Sequence, residues 1–235
     1  MLEVDGLRYR YPDGHEALSG VSLSVNDGEK VALAGANGSG KSTLLLQIAG
    51  ALEVQEGRIS FRGREGSEVL RQNTGLTFQN ADDELLMPSV LEDVAFSLVA
   101  GGMKPSRAHE RAMSVLASLG VSHLAGRPPH RLSGGEKRIV SFAGILASDP
   151  ELLALDEPTA GLDPRARRRV IDFLRGTDKA VILATHDLDM ALDVCSRAVI
   201  LHDGAVACEG ELPRLFTDRE MLERNGLELP LKYQR

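Results

Sequence analysis

A chain of 235 residues has room for one large α/β domain with a smaller lobe inserted, and too little for two full enzyme domains. Apolar residues make up 43% and charged residues 26%, which excludes a disordered or fibrous chain, and no apolar run reaches the roughly 18 residues of a membrane-spanning helix. The net charge of −7 excludes a broad electrostatic attraction to nucleic acid, and 4% aromatics without Trp leave little to stack single-stranded bases on.

The opening Met1-Leu2-Glu3-Val4-Asp5 lacks a basic segment followed by an apolar one, so the expected compartment is the cytoplasm. From there to residue 61, short β-like runs at 7–11, 21–25, 31–35 and 58–61 alternate with turns such as Asp13-Gly14 and Asp27-Gly28. The run 31–35 enters a Gly-rich loop and then a helix-like stretch at 43–52. Residues 80–131 hold no evident strand and carry a helical stripe at Ala112, Val115, Leu116 and Leu119. A helical subdomain over about 80–148, inserted in a single domain of residues 1–235, is the expected organisation.

Further on, 152–155 and 180–184 are continuous apolar runs, the pattern of strands covered on both faces. Between them a helix is predicted over 165–175, with Asp163 as N-cap and Pro164 at its first position. A parallel central sheet follows. Two strands within 198–207 meet at Asp203-Gly204, and 212–224 reads as one closing polar helix. Cys195 and Cys208 have no CxxC or metal-ligand spacing and read as small buried hydrophobes without a disulfide.

Gly35-Ala36-Asn37-Gly38-Ser39-Gly40-Lys41-Ser42 fits G-x-x-x-x-G-K-S/T in its required context, after a strand and opening a helix at Thr43. Glycines let the backbone turn tightly and aim its N–H groups at phosphate oxygens, and the helix N-terminus adds partial positive charge. Lys41 is expected on the β- and γ-phosphates and the Ser42 hydroxyl on Mg²⁺. The strand 152–155 ends in Asp156-Glu157. Asp156 is placed to hold the metal, and Glu157 to accept a proton from attacking water, which turns nucleotide binding into nucleotide cleavage.

Leu132-Ser133-Gly134-Gly135-Glu136 contains a capping box, Ser133 followed three residues later by Glu136, and two glycines that leave the first N–H groups of a helix open to an anion. With the phosphate loop and the acidic strand end, this set resembles the ATPase subunits of ABC transporters over essentially the whole chain. The family signature is L-S-G-G-Q, and this chain has Glu136 where Gln is commonest. The resemblance implies an α/β P-loop fold with an N-terminal antiparallel β subdomain, a parallel central sheet and an inserted helical subdomain. It further implies that Tyr11 stacks on adenine and that Gln79, in the Q-loop, serves metal and catalysis. Asp163 is implied in the D-loop, and His186 at the position that orients the γ-phosphate and attacking water. Ser133, Gly134, Gly135 and Glu136 would meet the γ-phosphate bound by an opposing subunit.

Taken singly, these last residues have ordinary explanations: a strand aromatic for Tyr11, a surface amide for Gln79, a helix cap for Asp163 and a loop histidine for His186. His15, His109, His123, His130 and His202 show no ligand spacing. The basic run Arg165 to Arg169 reads as a solvated helix face.

Phe78-Gln79-Asn80-Ala81-Asp82-Asp83-Glu84-Leu85-Leu86, the following Leu91 to Phe96, and Gly226-Leu227-Glu228-Leu229-Pro230 resemble the energy-coupling subunits of cobalt, nickel and vitamin importers. That implies ATP and Mg²⁺ as cofactors, a second ATPase subunit (a homodimer first, a heterodimer as alternative), a transmembrane coupling subunit and a substrate-binding membrane subunit. The implied location is peripheral, on the cytoplasmic side of the cell membrane, with Leu85, Leu86 and Met87 in the docking groove. The alternatives are a vitamin-importing module, a soluble ABC ATPase in assembly or regulation, and a nucleotide-gated binding module with little hydrolysis.

Overall fold

The first strand shows how the sequence sets its own irregularities. In β1 (Leu2–Arg10) the apolar residues Leu2 and Val4 fall out of phase with Leu7 and Tyr9, so one alternation cannot bury all four. The strand resolves this by a register shift against β2 (Glu16–Val25) between Val4 and Leu7, and all four side chains point inward. The structure, a computed structural model, describes residues 1–77 and 85–234.

β1 and β2 join β4 (Glu56–Phe61) and β5 (Arg64–Glu65) in an antiparallel sheet of order β2-β1-β4-β5. The second sheet has the order β10-β9-β3-β8-β7-β6, built from β3 (Lys30–Ala34), β6 (Thr74–Thr77), β7 (Leu152–Asp156), β8 (Ala180–Ala184), β9 (Arg197–His202) and β10 (Ala205–Glu211). β3 pairs in parallel with β8 and β9, β7 pairs in parallel with β8, and β10 returns antiparallel. The turn before β10 places Asp203 and Gly204 at φ 46° and 75°, the left-handed pair that a two-residue hairpin requires.

Two compact units divide the chain. The first comprises Met1–Leu76, Glu151–Glu157 and Leu174–Arg235. Its core joins Leu7, Leu18 and Phe61 of the antiparallel sheet to Leu33, Ala154 and Ile182 of the parallel one and to Leu44, Leu45 and Ile48 of α1 (Lys41–Ile48). Each fully buried Leu, Ile or Phe there contributes about 1.5–3 kcal/mol. Arg197, at the start of β9, ties this unit together: its guanidinium lies 2.7 Å from Glu29, donates to the carbonyl of Ser24 and reaches Glu209 at 3.4 Å.

The second unit comprises Thr77–Pro150 and Pro158–Phe173. It holds α3 (Val90–Ala100), α4 (Pro105–Ser118) and α5 (Gly134–Ala147). The α4 stripe buries Ala108, Ala112 and Leu116 with Leu119 beyond it, while Val115 is only half-buried. Ser89 caps α3, its hydroxyl accepting the Glu92 N–H at 3.3 Å. Phe142 of α5 meets Phe173 of α6 (Pro164–Gly176) edge to face at 5.6 Å.

Three expectations need correction. The stretch 43–52 is helical only to Ile48. The stretch 212–224 is two helices, α8 (Leu212–Leu215) and α9 (Arg219–Arg224), because the Asp218 carboxylate accepts the Met221 N–H at 3.0 Å and starts a new helix. Cys195 is buried, its thiol pushed up to about 12 by burial, but Cys208 on β10 is half-exposed with its Sγ 3.4 Å from the sulfur of Met221. The sequence does not anticipate the short elements β5, α2 (Ser67–Asn73), β6 and α7 (Leu188–Val194). Among the described residues, no helix is long and apolar enough to cross a membrane.

Candidate nucleotide site

The parallel register of β3, β8 and β7 brings three strand ends to one edge of the first unit: Leu33 pairs with Ala184, and Asp156 with Ala184 from the other side. Gly35-to-Gly40 leaves the first end, Asp156-Glu157 the second and Thr185-His186 the third. Loops at the carboxyl ends of parallel strands are where such sheets bind ligands.

Gly35 has φ +146°, and a Cβ there would lie 2.3 Å from the carbonyl oxygen of Leu201, so no other residue fits where the loop leaves β3. Gly40 then begins α1 without a side-chain cap. Behind the loop, Gly226 sits so near that a Cβ would come within 2.9 Å of the Ala36 Cβ. The chain end beyond it is fastened by Asp189 of α7 (Leu188–Val194), which accepts the N–H groups of Leu231 and Lys232 at 2.8 and 3.1 Å.

Lys41 reaches back into the loop, its Nζ donating to the carbonyls of Gly35 and Ala36, both at 2.8 Å. Burial holds its pKa below the usual lysine value, against the opposing pull of the Asp156 and Glu157 charges. Beside it the Ser42 hydroxyl donates to Asp156 Oδ2 at 2.6 Å. A hydroxyl and a carboxylate this close form a hard oxygen pair that fits a small divalent cation such as Mg²⁺. The Tyr11 hydroxyl lies 3.1 Å from Thr43 Oγ1, which sets the phenol ring against the first turn of α1.

Glu157 sits at φ 48°, an uncommon left-handed conformation for a glutamate and a signature of sites where geometry is held against strain. Its own N–H donates to the Ala184 carbonyl at 2.9 Å, locking it onto the neighbouring strand. Its carboxylate accepts the Thr185 hydroxyl at 3.0 Å and the His186 N–H at 2.7 Å, and the His186 ring Nδ1 lies 2.7 Å from Oε1. Glu157 is largely enclosed and His186 largely exposed. A carboxylate so oriented is an acceptor with fixed aim, as a general base requires. Thr185 was not singled out from the sequence; a hydroxyl residue at the strand end next to His186 is the signal that marks it.

In the second unit, Ser133 begins α5 in a complete capping box: its hydroxyl accepts the Glu136 N–H at 3.3 Å, while Glu136 accepts the Ser133 N–H at 2.8 Å. The Ser133 N–H and then its hydroxyl hold the Glu136 carboxyl below the usual range, with Arg127 3.6 Å away adding to the effect. The carboxylate is thus folded back onto the Ser133 cap of its own helix. Gly135 packs against the turn that precedes α6, where a Cβ would stand 3.2 Å from the carbonyl oxygen of Gly161. Asp163 accepts the N–H groups of Arg165 and Ala166 at 2.8 and 2.9 Å, and these hold its carboxyl below the ordinary value.

Thus the first unit brings together Tyr11, residues 35–43, Asp156, Glu157 and His186, and the second brings Ser133, Gly134, Gly135 and Glu136 to the loop of Asp163. Gln79 lies outside the described residues, as do Phe78 and 80–84 of the segment read as subfamily-specific.

The sequence profile of the ABC transporter family matches residues 18–160. The energy-coupling factor transporter ATP-binding protein EcfA of Methanosphaera stadtmanae is 38% identical over 239 residues, covering 98% of this chain and 86% of that protein. Among solved structures, cbiO1 of Clostridium perfringens, described as part of the ABC transporter complex cbiONQ, superposes with a TM-score of 0.81 at 35% identity, covering 95% of this chain and 93% of that one. The ATP-binding cassette MJ0796, solved as a dimer in a post-hydrolysis state with ADP and Pi, superposes with a TM-score of 0.82 at 28% identity, covering 90% and 99%.

Proposed function

Because the chain belongs to the ABC transporter family, as one of its ATP-binding and ATP-hydrolysing subunits, we propose that it powers an energy-coupling type importer of cobalt or nickel ions. The observation that carries the chemical part is the fixed Glu157 carboxylate, 2.7 Å from the His186 ring, just past the end of β7 at the sheet edge from which the phosphate loop also leaves. Likeness to EcfA and to cbiO1 supports the transport part.

In this reading ATP lies along residues 35–43 with its base on Tyr11, and Lys41 exchanges its loop carbonyls for the β- and γ-phosphate oxygens. Ser42 and Asp156, with Gln79, would hold Mg²⁺, which neutralises phosphate charge when bound. Glu157 takes the proton of a water whose oxygen attacks the γ-phosphorus, the bond to the bridging oxygen breaks, and ADP and phosphate leave. His186 and Thr185 keep Glu157 aimed and His186 orients the γ-phosphate. A second subunit supplies Ser133, Gly134, Gly135 and Glu136 at the same phosphate, with Asp163 at the joint, so that two ATPs close two chains head to tail. The dimeric state of MJ0796 supports that arrangement.

Transmission to a membrane partner falls to the second unit. Leu86 is 79% exposed, and Phe96 and Val99 of α3 also face solvent. The chain itself sits peripherally on the cytoplasmic side of the cell membrane. The alternative is a vitamin-importing energy-coupling module.

Purifying the tagged chain from its native membranes in mild detergent and identifying its companions tests this. A transmembrane coupling protein and a small metal-binding membrane subunit, with this chain as the only ATPase, are expected. A second ATPase with vitamin-binding subunits would move the cargo to vitamins, and absence of any membrane protein would overturn the transport reading.

A further inference from the structure

Two glutamines frame the connection between α1 and β4, residues 49–55, and tie it in two directions. Gln47, in the last turn of α1, is fully buried, and its Nε2 donates to the Glu53 carbonyl at 2.9 Å. Among the described residues its Oε1 has no hydrogen-bond partner. A buried amide left half satisfied costs stability that an apolar side chain of the same size would not, so its bond to residue 53 is what accounts for an amide there.

Gln55, exposed at the other end of the connection, spends both halves of its amide on one residue. Its Oε1 accepts the Arg10 N–H at 2.8 Å and its Nε2 donates to the Arg10 carbonyl at 2.9 Å. Two backbones exchange this same pair of bonds across an antiparallel ladder, and here a side chain makes it. The backbone ladder of β1 with β4 stops at Arg8 opposite Glu56, so the Gln55 amide carries it on to Arg10, the residue before Tyr11.

Tyr11 is held on its other sides as well. Its hydroxyl lies 3.1 Å from Thr43 Oγ1, Tyr9 meets its ring edge to face at 5.0 Å, and the His15 ring lies parallel to it within 13°, centroids 6.4 Å apart. The contacts close a circuit that runs from Tyr11 to Thr43, along α1 to Gln47, through residue 53 to Gln55, and back through Arg10. The hairpin that bears Tyr11 and the helix that opens at Lys41 are thereby kept at one spacing.

We propose that Gln55 is a positioning residue for the base of the bound nucleotide: by clamping Arg10 it sets where the Tyr11 ring stands relative to the phosphate loop. The inference rests on the reading of Tyr11 as the residue on which adenine stacks. Gln55 itself makes no contact with ATP in this role. It acts in advance, because a ring already standing in its bound place needs no ordering when the nucleotide arrives.

The test is the affinity of the intact chain for AMP-PNP and for inorganic tripolyphosphate, by calorimetry with Mg²⁺ present, in Gln55→Ala, Tyr11→Ala and the double variant. Gln55 is exposed, so its truncation opens no cavity in the core. In Gln55→Ala, AMP-PNP is expected to bind about three- to fivefold more weakly, with tripolyphosphate within about 1.5-fold of the parent. In the Tyr11→Ala background the same truncation should change AMP-PNP affinity by less than about 1.5-fold, since its effect passes through the ring. Equal losses for both ligands in Gln55→Ala would overturn the proposal, because the brace would then serve the phosphate end as well. An undiminished further loss in the double variant would do the same, by showing that Gln55 acts without Tyr11. Unchanged AMP-PNP affinity in Gln55→Ala beside a loss in Tyr11→Ala overturns the role of Gln55 and leaves that of Tyr11. Unchanged affinity in Tyr11→Ala overturns the Tyr11 reading and the proposal with it.

Discussion

The carboxylate of Glu157 and the ring of His186 are 2.7 Å apart, and the His186 N–H grips the same carboxylate oxygen. Both groups therefore move as one, and a change at either is felt at the other.

Glu157→Gln keeps the size of the side chain and the acceptor for Thr185 but removes the proton acceptor. ATP binding is expected to stay within about threefold and phosphate release to fall by about a hundredfold or more. Near-normal phosphate release would remove Glu157 as the base.

Lys41→Ala removes the cation that contacts the Gly35 and Ala36 carbonyls. Loss of a charge-assisted contact to phosphate is expected to weaken ATP by at least about tenfold. An unchanged nucleotide affinity in a direct titration would count against the assigned loop.

Glu136→Gln retains a side-chain oxygen for the Ser133 N–H, so stability and ATPase rate are expected within about twofold of the parent. Glu136→Ala breaks the capping box and should cost about 1 kcal/mol, read as a fall of about 2–4 °C in Tm. If Gln is as destabilising as Ala, the carboxylate charge and not the cap governs this helix end.

Burial raises the pKa of Glu29, but hydrogen bonds from Arg197 and Asn26 outweigh it and hold the carboxyl below its ordinary 4.5. A carboxyl depressed on folding adds stability above the unfolded value, and that contribution is lost as pH falls through the folded one. Arg197→Met should therefore cost about 2 kcal/mol near pH 7, with the deficit shrinking below about pH 4. Urea midpoints of both proteins across that range check it; a constant deficit would assign the effect to packing of the Arg197 stem.

Strands with unbroken apolar runs, such as Val181 to Ala184, are legible in sequence because burial on both faces leaves no room for polar residues. β1 is harder to bound, since its phase slips at Asp5-Gly6, and the four-residue β6 is too short to show any period. The break at Asp218 hides because 212–224 keeps a helical composition while one carboxylate starts a second helix. Residues 35–43, Asp156 and Glu157 can be named in advance, since their chemistry depends on neighbours in the chain. The hold of Thr185 on Glu157, and the parallel rings of Tyr11 and His15, depend on how a strand end or a turn is aimed in space, which composition does not record.

β3 delivers the glycine loop, yet its neighbours on both sides, β8 and β9, are encoded about 150 residues later. At about 5–20 residues per second, a ribosome needs roughly 10–30 s to supply them after β3 has emerged. Throughout that interval the strand has no parallel partner, and the loop it feeds lacks the Leu201 backbone that Gly35 packs against. Assembly of the nucleotide site is thus a late event in biogenesis, governed by long-range pairing of the slow kind. A nascent chain interrupted before β9 would be not a weakened ATPase but an apolar strand awaiting its sheet, a candidate for chaperones and not for ATP.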